Sequence, residues 1–530
     1  MPKKRQVRML QDLALHSIGE YVTDFGKNII RPSVCRIISQ SKSEINLLAL
    51  ETKLVQGMKY HLSSSVPWHL YDKLSIHVLR AIENLVNEMN NFSNNVDYST
   101  TILAEIQIVI TRLTEIVIHE NLRTIEFTAW PKIMRHVLYN KLHEMSGLEV
   151  LDLGSGSVGW RTSDIEKIII AAVGFMKNLI AFTLCFDCTD NIVFALSENC
   201  QKLQKVDVTA SGCVTDRSIP FLIKCHRLRD IKLFRTSVSI AGYANLLLGH
   251  RNLENIGRYD ELGYVLEYIR NNIDNFKEPF SLRVFESRNV RTDHLYLLVE
   301  MCPFITNFSI LRDEKIEDLS CILAPLNQLK ELKILSCSFY RNGLNNLLNL
   351  KGNNIVNLHL EHVDEIDMSA LVCISQSCPM IKSLMFYNCE FLELMSQQLS
   401  DRKVAVTPFQ FLERIKCASE CSNMHLEYLL SYCVNVKFIQ LGSSTGIDDT
   451  TMRRILLRNP MSQLEELKIL YSADLSMSTV KLLMENCHNL RRISELESWQ
   501  GITSGELDIF RREIKSNNIE LDTSPTLSLA

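Results

Sequence analysis

Nothing in these 530 residues stays apolar for long enough to cross a bilayer. A spanning helix needs roughly 18 apolar residues in a row. The longest candidate, Ile102 to Ile118, is broken by Glu105, Arg112 and Glu115, and reads as a buried amphipathic helix. An excess of charge is missing too. Basic residues number 57 and acidic residues 61, a net of -4. That leaves no general positive field for a nucleic-acid or membrane partner, and neither is expected. The start, MPKKRQVR, is basic but lacks the apolar stretch of a secretory signal, while Lys3, Lys4 and Arg5 admit a nuclear-localisation reading. Catalytic signatures are also absent: no GxxxxGK(S/T) or GxGxxG phosphate loop, no HExxH, no GxSxG, no paired Cys–His spacing. The nearest glycine cluster, Gly154-Ser155-Gly156-Ser157-Val158-Gly159, follows an apolar strand and carries no lysine, so it reads as a turn. The expectation is a chain that is not itself an enzyme, with no cofactor, no metal and no catalytic residue.

What the chain has is repetition. An LxxLxL string, or a close apolar variant, begins afresh at Leu122, Leu148, Leu179, Leu203, Leu228, Leu253, Leu282, Ile305, Leu329, Ile355, Ile381, Leu412, Val436, Leu464 and Leu490. The mean period is about 26 residues, inside the leucine-rich-repeat range. Each unit reads as strand, turn and helix: Leu203, Val206 and Val208 form a strand, 211–215 turns, and Asp216 caps a helix carrying Ile219, Phe221 and Leu222 inward. A single unit cannot cover its own apolar face, so the units must stack. The fold class expected is α/β: a solenoid of about fifteen strand-turn-helix units over 119–521, with the parallel sheet on its concave face.

The 16 cysteines follow the same register. Cys200, Cys225, Cys302, Cys378, Cys433 and Cys487 each precede the first apolar residue of a repeat by three positions; Cys337 and Cys389 follow it by eight. Cysteines in register with a repeat behave as small buried hydrophobes with a weak S–H donor. This pattern points to a reducing cytoplasmic or nuclear compartment. Cys185 and Cys188 make one CxxC with no second pair, which favours strand-end packing over zinc. His226, His250 and His488 recur beside repeat starts and read as structural edge residues.

Residues 1–118 escape the repeat and form an all-helical module. Leu10, Leu13, Ile18, Tyr21 and Val22 are expected to make one helix face, and Leu70, Leu74, Val78, Ile82 and Leu85 another. Such a module would at least cap the first repeat. Two segments are expected to be exposed: a polar insertion over 396–408, containing Asp401, Arg402 and Lys403, and a disordered tail over 522–530. On each strand the positions two, four and six residues after the first apolar one face away from the core. There Leu335, His359, Met385, Tyr387 and Phe438 are candidate partner-binding residues, aromatic and Met side chains among polar ones suiting a protein contact.

Cys200, Leu203, Val206, Val208, Cys213, Thr215 and Asp216 carry the pattern of the cysteine-containing leucine-rich-repeat class, which the array resembles over roughly 122–521. In that class the array commonly binds substrate for a cullin-RING ubiquitin ligase. Met9-Leu10-Gln11-Asp12-Leu13-Ala14-Leu15-His16-Ser17-Ile18 resembles the Elongin-binding box of SOCS-box proteins, with Leu10, Leu13, Ala14 and Ile18 on one helix face. Met9 stands where that box has Ser or Thr, and Ala14 where it has Cys. Downstream, Val66-Pro67-Trp68-His69-Leu70-Tyr71-Asp72-Lys73-Leu74 resembles a cullin box through Val66, Pro67, Leu70 and Leu74. The same Val66-Pro67-x-x-Leu70 also resembles the start of an F-box, though no Cys or Trp follows before Trp130. The resemblance implies a substrate receptor contacting Elongin B/C and a cullin, with a protein substrate on the concave face. The alternatives are an F-box receptor and a scaffold or inhibitor with no adaptor.

Overall fold

The computed structural model describes residues 2–4, 9–39, 47–93, 100–155, 162–272, 278–288, 290–311, 319–393, 407–443 and 446–526. Most of the expected insertion, including Asp401, Arg402 and Lys403, lies outside them, as do 156–159 of the glycine cluster and 527–530 of the tail.

The chain is a leucine-rich-repeat α/β protein with a helical N-terminal region. Four helices come first: α1 Leu10–Ser39, α2 Leu47–Ser65, α3 Tyr71–Ser93 and α4 Thr100–Thr114. Five parallel strands follow: β1 Thr124–Glu126, β2 Val150–Ser155, β3 Ala181–Cys185, β4 Lys205–Asp207 and β5 Asp230–Lys232. A second parallel sheet holds nine: β6 Val284–Ser287, β7 Asn307–Leu311, β8 Glu331–Ser338, β9 Asn357–Asp364, β10 Ser383–Tyr387, β11 Arg414–Ala418, β12 Phe438–Leu441, β13 Glu466–Ile469 and, after β14 Ser472–Ser476, β15 Arg492–Ser494. β14 pairs separately with β16 Trp499–Gly501, a small sheet the repeat pattern does not announce. Every expected repeat start is followed two residues later by a strand residue. In the Leu253 repeat the strand shrinks to the single bridge of Asp230 with Asn255.

The strands alternate as expected. In β10, Leu384 and Phe386 are buried while Ser383, Met385 and Tyr387 are not. Side-chain period two puts one set in the core and the other on the open face, the face away from the helices. The turn chemistry is equally regular. Thr189 caps its own helix by accepting from the Ile192 N–H, and Asp190 reaches forward one repeat. It accepts from Thr215 N at 2.8 Å, Thr215 Oγ1 at 2.7 Å and Ser218 Oγ at 2.5 Å. Asp216 does the same for Ser239, and Asp449 for Ser476 and Thr479. The ThrAsp pair is thus one cap for its own helix and one clamp on the next turn. The register cysteines are buried, and Cys200 donates to the Met176 carbonyl of the preceding repeat at 3.4 Å. His250 occupies that register position in its own repeat and bonds the Cys225 carbonyl at 2.9 Å, a structural role.

The chain divides into two compact units, residues 8–257 and residues 258–530 together with 1–7. The first of these units holds the four helices together with the first repeats. Asp72, on α3, shows why the helices belong with the first repeats. Its Oδ1 accepts from Arg123 N at 2.8 Å and Thr124 N at 3.3 Å, supplying an acceptor that the open edge of β1 lacks. In the second unit the edge beyond β15 is closed by the tail: Asp522 N donates to Arg491 O, Asp522 O accepts from Ile493 N, and Glu520 N donates to Lys3 O. Residues 522–526 are held in place rather than disordered. Asp522 also takes the Arg492 guanidinium at 2.7 and 3.0 Å, and Thr526 N bonds Glu495.

Candidate partner-binding surfaces

The first surface is α1. Leu15, Gly19, Val22 and Gly26 recur at helical spacing and are buried. They face α3 and α4. A Cβ on Gly26 would come within 2.7 Å of Leu85 Cδ2 and 2.9 Å of Leu113 Cδ1, so glycine there permits the close approach. Thr23 Oγ1 contacts Ala81 O at 3.4 Å, and Lys27 pairs with Glu88 at 2.7 Å, fixing α1 on α3. The opposite side points outward: Leu10 is 83% exposed, Tyr21 62%, and Leu13 and Ala14 are exposed as well. Leu10 and Tyr21 are eleven residues apart, about three turns, which returns them to one face. Val22 is fully buried and Ile18 half-buried, so the single face expected from Leu10 to Val22 is two faces, one packed and one open to solvent.

The second segment divides differently. Pro67 is exposed and caps the short turn Trp68–Leu70; Val66 and Leu70 are half-buried. Leu74 is 2% exposed and belongs to the core with Val78, Ile82 and Leu85, so it cannot touch a partner. The accessible apolar side chain of this corner is Trp68, 64% exposed, which the motif comparison passed over.

The third surface is the open face of the nine-stranded sheet. Register lines its outward residues into rows across the strands. One row runs Glu331, Asn357, Ser383, Arg414, Phe438, Glu466 and Arg492; the next runs Lys333, His359, Met385, Lys416, Gln440 and Lys468. A third holds Leu335, Glu361, Tyr387 and Ala418. The five candidates all lie on this face, but Leu335, Met385 and Phe438 sit on alternate strands, and the structure does not join them into one apolar patch. Glu361 separates Leu335 from Tyr387. Phe438 is covered: the Arg414 guanidinium lies 4.6 Å from its ring centre and Lys416 Nζ 5.7 Å. His359 and Met385 are direct neighbours and line a shallow depression of about 410 Å³.

Electrostatics differ along this face. Lys333 Nζ is 3.5 Å from Glu361 Oε2, and His359 Nε2 is 3.6 Å from the same oxygen, too far for a hydrogen bond. Burial, with Lys333 and Lys416 nearby, holds the His359 pKa below its ordinary value despite Glu361. Arg414 and Lys416 escaped the sequence reading, although the offset of two and four residues applied to Leu412 names both.

On the five-stranded sheet the corresponding row is Glu126, Asp152, Thr183, Asp207 and Lys232. Lys232 pairs with Asp207 at 3.1 Å. Burial, then the neighbouring Glu126 and Asp207, raises the Asp152 carboxyl above its usual range, the Gly154 N–H opposing. Cys185 lies beside Asp207, its thiol pushed up to about 11 chiefly by burial, while Cys188 is fully buried and turns to Thr189 O. Among the described residues no group of three His, Cys, Asp or Glu side chains could hold a metal ion, and no helix is long and apolar enough to cross a membrane.

No protein-family model matches the chain, and no curated protein sequence matches it. Among solved structures, the chain is similar to one in the crystal structure of the Rad7 and Elc1 complex in yeast, at 11% identity and a TM-score of 0.41, covering 89% of this chain and 95% of that one. An internalin (inlF) from Listeria monocytogenes matches at 14% identity and 0.34, covering 68% and 89%. The leucine-rich-repeat protein LIC12759 of Leptospira interrogans matches at 14% and 0.33, covering 76% and 95%. Scores this low leave the fold assignment resting on the strands and repeats themselves.

Proposed function

We propose that the chain is a non-catalytic protein-interaction receptor: the substrate-recognition subunit of a cullin-RING ubiquitin ligase, docking an Elongin-type adaptor on α1 and a protein substrate on the open sheet face. The observation that carries this reading is the double character of α1. Leu15, Val22 and the two glycines anchor the helix, and the anchoring leaves Leu10, Leu13, Ala14 and Tyr21 as a fixed outward apolar stripe. An amphipathic helix needs one apolar face for folding; a second one is suited to a groove on another protein. The second reading is a scaffold without an adaptor, favoured by Asp72, whose bonds to β1 already give the helices a capping task.

Leu10→Asp separates the two. A charge desolvated in a groove without a partner costs on the order of 3 kcal/mol, roughly a hundredfold in affinity. Leu10 makes little contact with the core, so the unfolding transition should move by less than about 0.5 kcal/mol. Val22→Asp is the control that should lower stability instead. Loss of Elongin B/C in a pull-down with an unchanged melt supports the receptor; a wild-type chain that captures no Elongin B/C removes it.

A further inference from the structure

The open face of the nine-stranded sheet carries five basic side chains in its first two rows: Lys333, Arg414, Lys416, Lys468 and Arg492. Three have acidic partners, Lys333 with Glu361, Lys468 with Glu495 and Arg492 with Asp522. Arg414 and Lys416 have none within 4 Å among the described residues. Their neighbours across the strands are Ser383 and Phe438 on one row, Met385 and Gln440 on the next, none of them acidic. Both cations lean on Phe438 instead. A guanidinium stacked on a ring keeps its N–H edge available for a carboxylate, and the stack limits the freedom lost on binding.

From this placement we infer that β10–β12 form the partner-reading part of the open face, and that the partner is an acidic polypeptide segment. A carboxylate of the partner would take Arg414 and Lys416, and an adjacent apolar side chain would rest on Met385 and Tyr387. Met385 is one strand from Lys416, about 4.8 Å, and Tyr387 two residues further along its own strand, about 6.6 Å. Those spacings suit neighbouring residues of an extended chain. Tyr387 is 46% exposed and supplies aromatic surface between the two cations and Glu361. A nucleic acid fits less well. A polyanion continuing past the two cations would meet Glu331 and Glu361 on one side and Glu466 on the other. A short acidic segment ends before reaching them.

This inference deepens the substrate half of the proposed function and does not depend on the adaptor. The test is selection of a random peptide library, about nine residues long, on the immobilised full-length chain, repeated with Arg414→Glu/Lys416→Glu and with Arg414→Lys. Selected peptides should be enriched in Asp or Glu beside an apolar residue, and their binding should weaken with added salt. The double reversal should abolish the enrichment or reduce binding by tenfold or more, with Arg414→Lys keeping part of it. The same double variant should still capture whatever Elongin B/C the wild type captures, so a failure of the adaptor reading shows up separately. The inference is overturned if the selected peptides are neutral or basic, if none is enriched, if the double variant keeps the same acidic preference, or if a single-stranded RNA of similar length binds more tightly than the selected peptides.

Discussion

The two open sheet faces share one backbone design, and their middle rows carry opposite charge. On the five-stranded sheet the middle row holds Glu126, Asp152 and Asp207 against a single lysine, Lys232. The matching row of the nine-stranded sheet holds Lys333, Lys416 and Lys468 with no carboxylate among β8–β13. Repeat geometry therefore decides which positions reach the surface, through the two-residue period of the strand, and leaves their identity unconstrained. That freedom is why recognition in such an array must be sought row by row.

The largest effect should come from the array ends, which the two units close by different means. In the first, a side chain does it: Asp72→Ala removes the acceptor for the Arg123 and Thr124 N–H groups, a loss of about 1–3 kcal/mol if both are left unpaired. In the second, backbone does it. Asp522→Ala keeps the bonds of Asp522 N and O to Arg491 and Ile493 and loses a pair with Arg492 that is two-fifths exposed, worth under about 1 kcal/mol after solvent screening. Hydrogen exchange at Thr124 and Ile493 in the two variants reads the contrast directly. Equal effects at both ends would mean that Asp72 is not what closes the first edge.

Much of this was legible beforehand, for identifiable reasons. The fifteen repeat starts located every strand of the two large sheets, because burial on one strand face leaves an alternating signature that local sequence cannot hide. The cysteine register was legible too: burial lifts the thiols of Cys200 and Cys378 to about 12 and that of Cys225 to about 11. Pairing between the helical region and the first repeat was not. Asp72 lies 51 residues from Arg123, and no spacing rule connects them. Nor could period alone tell Val22 from Tyr21 on α1, where both sides of the helix carry apolar residues and only the packing partner decides which is core. The Phe438 stack belongs to the same class, since a ring on an outward position reads as exposed until Arg414 is placed over it.

A smaller effect should distinguish the two middle rows. Lys232 compensates Asp207, so Lys232→Ala leaves that carboxylate facing Asp152 without its partner. The pair is partly exposed, and the expected loss is under about 1 kcal/mol at neutral pH. Lys416 has no acidic partner among the described residues, and Lys416→Ala should leave stability unchanged or slightly raised. Chemical denaturation of the two variants side by side measures the difference. A loss at Lys416 equal to that at Lys232 would show a hidden carboxylate beside Lys416 and weaken the case for an acidic partner there.

The pH response should separate the rows most finely. On the nine-stranded sheet, burial lowers the pKa of His359, and Lys333 and Lys416 lower it further, with Glu361 opposing. A histidine whose folded pKa lies below its unfolded value near 6.5 binds more protons when unfolded, so stability falls with pH once the unfolded form begins to protonate. His294 and His425 in the same unit are shifted the same way, chiefly by burial. Asp152 on the other sheet has the opposite sign: its raised carboxyl takes up a proton earlier in the folded state and stabilises as pH falls. That gain belongs to the carboxylate range of pH, so nearer neutrality the first unit answers through His77 and His119, which burial lowers. Acidifying from about 7.5 to about 5.5 should therefore cost the 258–530 unit more than the 8–257 unit, as read by hydrogen exchange in each. His359→Gln removes one titrating group and should flatten the slope of the second unit alone. A slope unchanged by that substitution would mean that Glu361 already balances burial and the two lysines together, and that the positive row is electrically quieter than its composition implies.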